Sequence, residues 1–231
     1  MLTFVLAEAA LETVPTELLS HPAVKGHAKR QHKPPYQLLL DRSFHHAAMM
    51  QLDNNEKRGR PDITHFVLLE ALGSPLNKEG LLRVYVQTNK DYVITINPIT
   101  RLPRNYSRFT GLVEQLFFHG KVPLKGENLL TLEKKTLPQL LAEINPDYIL
   151  AFSRIGKTET IEDAVSHLQT KQNLAVIIGG FAHGHFSEST AKLADEVVCV
   201  DQEMLEAWTL TSRLIYEYER SMSLPIKRLN K

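Results

Sequence analysis

Three short segments hold residue types that a buried core would not select. Arg58-Gly59-Arg60-Pro61-Asp62-Ile63-Thr64-His65 gathers two guanidiniums, a carboxylate and an imidazole at the mouth of a helix that Pro61 opens. Asp62 in the first helical turn has a bland use as a cap or dipole partner, worth roughly 0.5–1 kcal/mol, and spacing alone favours that use. The second segment runs from Asn97 to Arg108 and sets Arg101, Arg104 and Arg108 at offsets of three and four, with Tyr106 and Phe109 interleaved. A planar guanidinium suits bidentate contact with phosphate, and an aromatic ring can stack on an extruded base. No acidic residue lies between Ile94 and Val113, so nothing local neutralises the three arginines, and an anion site is expected. The third segment, Ile177-Ile178-Gly179-Gly180-Phe181-Ala182-His183-Gly184, reads as a buried strand emptying into a glycine turn. Glycines let backbone approach a ligand closely at the carboxyl edge of a parallel sheet. The pattern is neither GxGxxG nor GxxxxGK[ST], so alone it is a weak signal.

The remaining reactive side chains point to structure. His45 and His46 fall on a predicted helix and His183 and His185 flank the glycine turn, but neither pair has partners at metal-ligand spacing, so no metal site is expected. Cys199, on an apolar strand, reads as a small hydrophobe without an activating neighbour. As the single cysteine it excludes an internal disulfide and a multi-Cys zinc site, which suits a reducing cytoplasm.

These segments need a scaffold, and 231 residues suffice for one α/β domain with an insertion. With 27 basic against 26 acidic residues the net charge is +1, so any polyanion must be drawn by a local patch. The start, MLTFVLAEAALETV, lacks a basic leader and is broken by Glu8 and Glu12, so it reads as a buried strand, Leu2 to Ala7. No stretch approaches the roughly 20 apolar residues of a membrane helix. The basic stretch holding Lys25, Lys29 and Arg30 reads as a loop, and Gln37 to Met50 as a helix. A helix from Pro61 to about Gly73 should turn Ile63, Phe66, Val67 and Leu69 inward. Leu82 to Thr88 and Tyr92 to Ile96 read as two strands of a β-excursion turning at Asn89-Lys90-Asp91, an insertion at about 80–110. A helix from Tyr106 to His119 follows. Helices Thr136 to Ile144, Thr160 to Gln169, Ser187 to Leu193 and Glu203 to Arg220 then alternate with strands Tyr148 to Phe152, Leu174 to Ile178 and Glu196 to Val200. That rhythm indicates a mostly parallel sheet flanked by helices.

Taken together, RGRPDITH, LLEALGSPLNKEG, VYVQTNKDYVITINPITRLPRNYSRFTGLVEQL and IIGGFAHG resemble the archaeal and eukaryotic ribosome-biogenesis pseudouridine N1-methyltransferases of the SPOUT class. The likeness runs from about Leu2 to Tyr218, and the short N-terminal region with LLLDRSFHHAAM is similar to the archaeal branch. It implies a single α/β SPOUT domain over 1–231, a C-terminal trefoil knot that composition could not show, and a homodimer. It also implies S-adenosylmethionine as methyl donor, S-adenosylhomocysteine as product, small-subunit ribosomal RNA as substrate and a cytoplasmic place of work, with ribosomal proteins as further partners during assembly.

Carried over residue by residue, the resemblance implies donor contacts at Phe152, Gly179, Gly184 and the loop Cys199, Val200, Asp201, Gln202, Glu203, Met204 and Leu205. Arg60, Arg101, Arg104 and Arg108 would contact RNA. Asp62 would accept or orient the N1 proton of pseudouridine, while Arg60 or Arg101 stabilises charge on the neighbouring carbonyls. A carboxylate is a weak base for an imide-like nitrogen, so orientation beside the donor is expected to supply much of the rate. Two departures stand out. Gly73 replaces an acidic residue frequent before SPLNK, and VDQEMLEAW replaces an S-x-Y-P-L-S-A-like loop, which matters little if backbone groups hold the adenine. Competing expectations are a SPOUT enzyme for another nucleotide, or an RNA-binding assembly factor with little catalysis.

Overall fold

The computed structural model describes residues 1–168 and 171–230. Among the described residues eight strands form one sheet: β1 (Leu2–Ala9), β2 (Leu82–Thr88), β3 (Tyr92–Ile96), β4 (Lys121–Val122), β5 (Leu130–Lys134), β6 (Tyr148–Thr158), β7 (Leu174–Gly179) and β8 (Glu196–Cys199). The order is β4-β5-β3-β2-β1-β7-β6-β8. Neighbours from β2 through β8 pair in parallel, and β3, β5 and β4 extend the sheet antiparallel. The expected excursion at 80–110 is therefore sheet proper: β2 lies in register with β1, Phe4 opposite Val84. Its apolar run is the signature of a strand covered on both faces.

The helices are α1 (Pro22–Gln31), α2 (Arg42–Met49), α3 (Pro61–Gly73), α4 (Pro75–Lys78), α5 (Tyr106–His119), α6 (Leu137–Ile144), α7 (Ile161–Leu168), α8 (Glu188–Ala191), α9 (Ala207–Ser221) and α10 (Leu224–Leu229). One face of β1, through Leu2, Phe4 and Leu6, packs with Ile63 and Val67 of α3, Phe109 of α5, Val165 of α7 and Leu214 of α9. The other face, through Val5 and Ala7, packs with Leu137, Leu140 and Leu141 of α6. Each fully buried Leu or Phe contributes about 1.5–3 kcal/mol, so the alternation of β1 fixes both layers. A satellite core under α1 and α2 is built from Val24, Ala28, Leu38, Ala48 and Met49.

Several expectations need correction. Lys25, Lys29 and Arg30 lie on a helix, not a loop. Pro22 opens α1, His21 Nδ1 caps it by accepting from Ala23 N at 3.2 Å, and its inward positions are Val24, His27 and Ala28. A histidine on the buried stripe hides that periodicity from a hydropathy scan. The helix expected from Gln37 starts at Arg42, because Pro34 and Pro35 force a turn and Asp41 caps α2 through Ser43 N at 2.8 Å. In α3 Phe66 faces outward, 46% exposed, and Leu68 is buried while Leu69 is half-buried. β6 continues beyond Phe152 to Thr158, and α9 starts at Ala207 rather than Glu203. The helix expected from Thr160 to Gln169 is described over Ile161–Leu168, and Gln169 lies outside the described residues.

Candidate active site

The carboxyl ends of β6, β7 and β8 open on a cavity of about 240 Å³, the crevice position for a ligand in an open α/β sheet. Apolar side chains form much of its wall, among them Ile63, Phe152, Ile178, Leu205 and Leu210, with Arg60, Arg154, Asp201, Glu203 and Glu206 bringing charge. Of the residues assigned to a donor from the sequence, Phe152, Gly179, Gly184, Cys199, Val200, Asp201, Glu203, Met204 and Leu205 all line it. Gln202 is exposed and does not.

The glycine turn owes its composition to close packing. A Cβ on Gly179 would meet the Phe181 ring at 2.7 Å, and one on Gly180 would meet Ala9 Cα at 2.7 Å. Gly184 has φ +85°. Lys57, which sequence reasoning passed over, secures the turn: its ammonium donates to the His185 carbonyl, lies 4.4 Å over the Phe181 ring and pairs with Glu8 at 3.5 Å. Ser153 and Arg154 were also missed, because β6 was ended at Phe152. The signal was Gly156, where a Cβ would stand 2.5 Å from the Val197 carbonyl oxygen, so that only a bare backbone lets β6 pass β8 so closely. The loop after β8 is shaped by its own side chains: Cys199 Sγ donates to the Asp201 carbonyl at 3.1 Å, and Asp201 Oδ1 accepts from Glu203 N at 2.9 Å.

Arg60 ties the cavity to Asp62 of the first segment. Its backbone N–H donates to the Ala10 carbonyl at 3.0 Å, fixing it at the end of β1. Its side chain grips Asp62, Nε to Oδ1 at 2.9 Å and Nη2 to Oδ2 at 2.8 Å, a half-exposed pair in the fork geometry that arginine favours. That bond, opposed by burial, raises the Arg60 pKa further above its ordinary value. The neighbours in the same motif differ in role. Arg58 is buried and bonded to Glu12 by Nε at 2.8 Å and Nη2 at 2.6 Å, so it is a structural ion pair. His65 is also buried, stacks on Phe109 at 4.3 Å between centroids, and has Nε2 2.7 Å from the Pro103 carbonyl.

That last contact moors the arginine loop against α3. Asn77 Nδ2 donates to the Pro98 carbonyl at 2.9 Å, Thr100 Oγ1 to the Leu129 carbonyl at 3.0 Å, and the Tyr106 hydroxyl to Asp41 Oδ2 at 2.5 Å. Burial, with the Asp41 bond, raises the Tyr106 pKa, and its phenol lies within electrostatic range of Asp62 and Arg60. Arg101, Arg104 and Arg108 are exposed, line none of the cavity, and among the described residues have no carboxylate within 4.0 Å. Arg101 and Arg104 bracket Pro103, and Arg108 sits in the first turn of α5. Elsewhere, Glu159, His167 and Glu196 bring three possible ligand atoms within 4.8 Å of one another. There the Lys157 ammonium already pairs with both carboxylates.

The mostly parallel sheet, its helix-covered faces and the cavity at the carboxyl edge define an open α/β domain with a ligand crevice, the architecture expected of the SPOUT class. The chain belongs to the EMG1/NEP1 methyltransferase family, whose model matches residues 4–219. It is 45% identical to the ribosomal RNA small subunit methyltransferase Nep1 of Thermococcus kodakarensis over 224 residues, 97% of this chain and 100% of that one. The Nep1 of Pyrococcus furiosus is 44% identical over 218 residues, covering 94% and 96%. Among solved structures, Archaeoglobus fulgidus Nep1 bound to S-adenosylhomocysteine superposes with a TM-score of 0.85 at 38% identity, covering 96% of this chain and 98% of that one.

Proposed function

We propose that this protein transfers a methyl group from S-adenosylmethionine to N1 of a pseudouridine in small-subunit ribosomal RNA. One observation carries the reading: Arg60 lines the cavity and its guanidinium holds Asp62, while a moored loop presents three exposed arginines that have no carboxylate within 4.0 Å among the described residues. The cavity and the Arg60–Asp62 pair thus share a residue, and the Tyr106 phenol of the arginine segment lies within electrostatic range of both partners. The names of the Thermococcus and Pyrococcus relatives, and the product-type ligand of the Archaeoglobus structure, support the same chemistry.

The residues fit the donor. The apolar wall of Phe152, Ile178, Leu205 and Leu210 suits a purine, the bare backbone at Gly179 admits close approach, and Asp201, Glu203 and Glu206 offer carboxylates to a cationic ligand. When bound, the donor would supply an electrophilic methyl group and, as its S–CH3 bond breaks, leave as the neutral thioether S-adenosylhomocysteine. Asp62 orients the acceptor N1–H and takes up its proton as the N–CH3 bond forms. Arg60 keeps that carboxylate aimed and, with Arg101, faces the charge growing on the ring carbonyls. Arg104 and Arg108 hold phosphates, leaving the target base splayed toward the cavity.

The same reading includes a homodimer, supported by the apolar exposure of Phe66, Tyr216 and Leu229 across α3, α9 and α10. It includes the trefoil threading, supported by α9 packing on α3, α7 and β7 after the chain leaves edge strand β8. It also places the protein in the cytoplasm with assembling ribosomal proteins. Labelled methyl transfer to RNAs differing only by uridine or pseudouridine at one loop position tests the acceptor. Label is expected on pseudouridine alone, and label on uridine would overturn the assignment. Absence of S-adenosylmethionine binding by calorimetry would overturn the enzyme reading itself.

A further inference from the structure

Two stretches of more than 20 residues in this near-neutral chain carry three or more basic residues and no acidic ones. Residues 18–40 hold Lys25, Lys29, Arg30 and Lys33, and residues 92–113 hold Arg101, Arg104 and Arg108. The carboxylates that bound them, Asp41 and Glu114, are the groups that join them in space. Asp41 accepts from the Tyr106 hydroxyl at 2.5 Å, and Glu114 accepts from Lys33 Nζ at 2.5 Å and from Leu39 N at 3.1 Å. A buried histidine pair completes the junction: His27 of α1 meets His45 at 3.0 Å, and His45 Nδ1 accepts from Asp41 N at 3.0 Å. Helix α1 is thereby tied to α5 through Asp41 and through Lys33, the residue after its C-cap.

Lys33 is occupied by Glu114, whereas Lys25, Lys29 and Arg30 are exposed and, among the described residues, have no carboxylate within 4.0 Å. Lys29 and Arg30 have an internal use, since cations favour the carboxyl end of a helix. Lys25 does not. It sits in the amino-terminal half of α1 against the dipole and one turn from the like charge of Lys29, both unfavourable. A local penalty without an internal compensation marks a group kept for an external partner. Three long side chains spread along an open helix, with no enclosed cradle, match a polyanion rather than a small ion.

We infer that the exposed face of α1, through Lys25, Lys29 and Arg30, is a second phosphate-contacting surface continuous with the arginine loop, gripping the RNA backbone that flanks the target nucleotide. The inference rests on the RNA reading above and extends its footprint. Fluorescence anisotropy on the full-length protein tests it with two labelled RNAs, a stem-loop carrying pseudouridine in its loop and the loop nucleotides alone. The K25Q/K29Q/R30Q variant is expected to bind the stem-loop about tenfold or more weakly, with a log K against log salt slope shallower by ~2–3. It should bind the loop alone as the native protein does, and K25R/K29R should retain native affinity for both. Native affinity and slope in the triple variant, with Arg104→Ala weakened, would overturn the inference alone. Equal weakening on both RNAs would overturn the flanking placement. If the native protein binds neither RNA, the RNA reading and this extension fall together.

Discussion

Arg60 holds the carboxylate of Asp62 in two parallel bonds of 2.9 and 2.8 Å while the same residue lines the cavity. The two side chains work as a unit, and neither can be altered without freeing the other. Replacing Asp62 by Asn keeps the shape and removes the charge and the proton acceptor. Single-turnover methylation by Asp62→Asn is expected to slow by about 10²–10⁴, with RNA affinity close to native. A native rate would refute the assignment of Asp62 as base or orienting group. Arg60→Lys keeps charge but loses the fork, so it should fall between the two.

Adjacent glycines should fail differently. A methyl at Gly180 runs into the backbone of Ala9, which cannot yield, so Gly180→Ala should cost about 1–3 kcal/mol of stability and lower Tm by several degrees. A methyl at Gly179 meets the Phe181 ring, which can swing into the cavity it lines. Gly179→Ala should therefore leave Tm nearer native and weaken donor binding, read by calorimetry. Equal Tm losses with unchanged donor affinity would contradict this account.

The ion pair between Arg58 and Glu12 is buried and further tied to Asn89 Nδ2 at 3.1 Å. Arg58→Met alone strands a carboxylate in the core and should cost about 3–5 kcal/mol in urea unfolding, whereas Glu12→Leu with Arg58→Met should recover most of it. A mild single variant would show that water reaches the site.

His45 is fully buried beside His27, and burial lowers its pKa to about 4. Unfolded, it titrates near 6.5, so between those values the unfolded chain binds the extra proton and stability falls as pH falls. The loss begins below about pH 6.5, is complete near pH 4, and amounts to roughly 3 kcal/mol. Unfolding free energies of native protein and His45→Gln, compared at about pH 7.5 and 5, should converge at the lower value. Parallel curves would remove His45 from the linkage.

The sequence made the sheet readable from β1, β2, β3 and β7, because apolar and β-branched runs bounded by turn residues have few other uses. The residues that line the cavity were named through the family resemblance, because a glycine turn at a strand end is by itself a weak signal. What hid was whatever depended on distant partners. Arg58 and Arg60 are two positions apart in one motif, yet Glu12 takes the first into the core and Asp62 keeps the second at the cavity. Helix α1 was masked by a histidine on its inward stripe. Ser153 and Arg154 were lost because β6 continues past its apolar part on the strength of pairing with β8.

The loop carrying Arg101 and Arg104 is held along its length by four side chains from four separate places: Asn77, His65, its own Thr100, and Asp41 through Tyr106. Its main chain is thus a stiff spine bearing supple bristles. An incoming strand need not organise a floppy segment. It stills only the few guanidiniums it touches, at about 0.5–1.5 kcal/mol each, and those long arms can follow irregular contours while the spine keeps their roots in register.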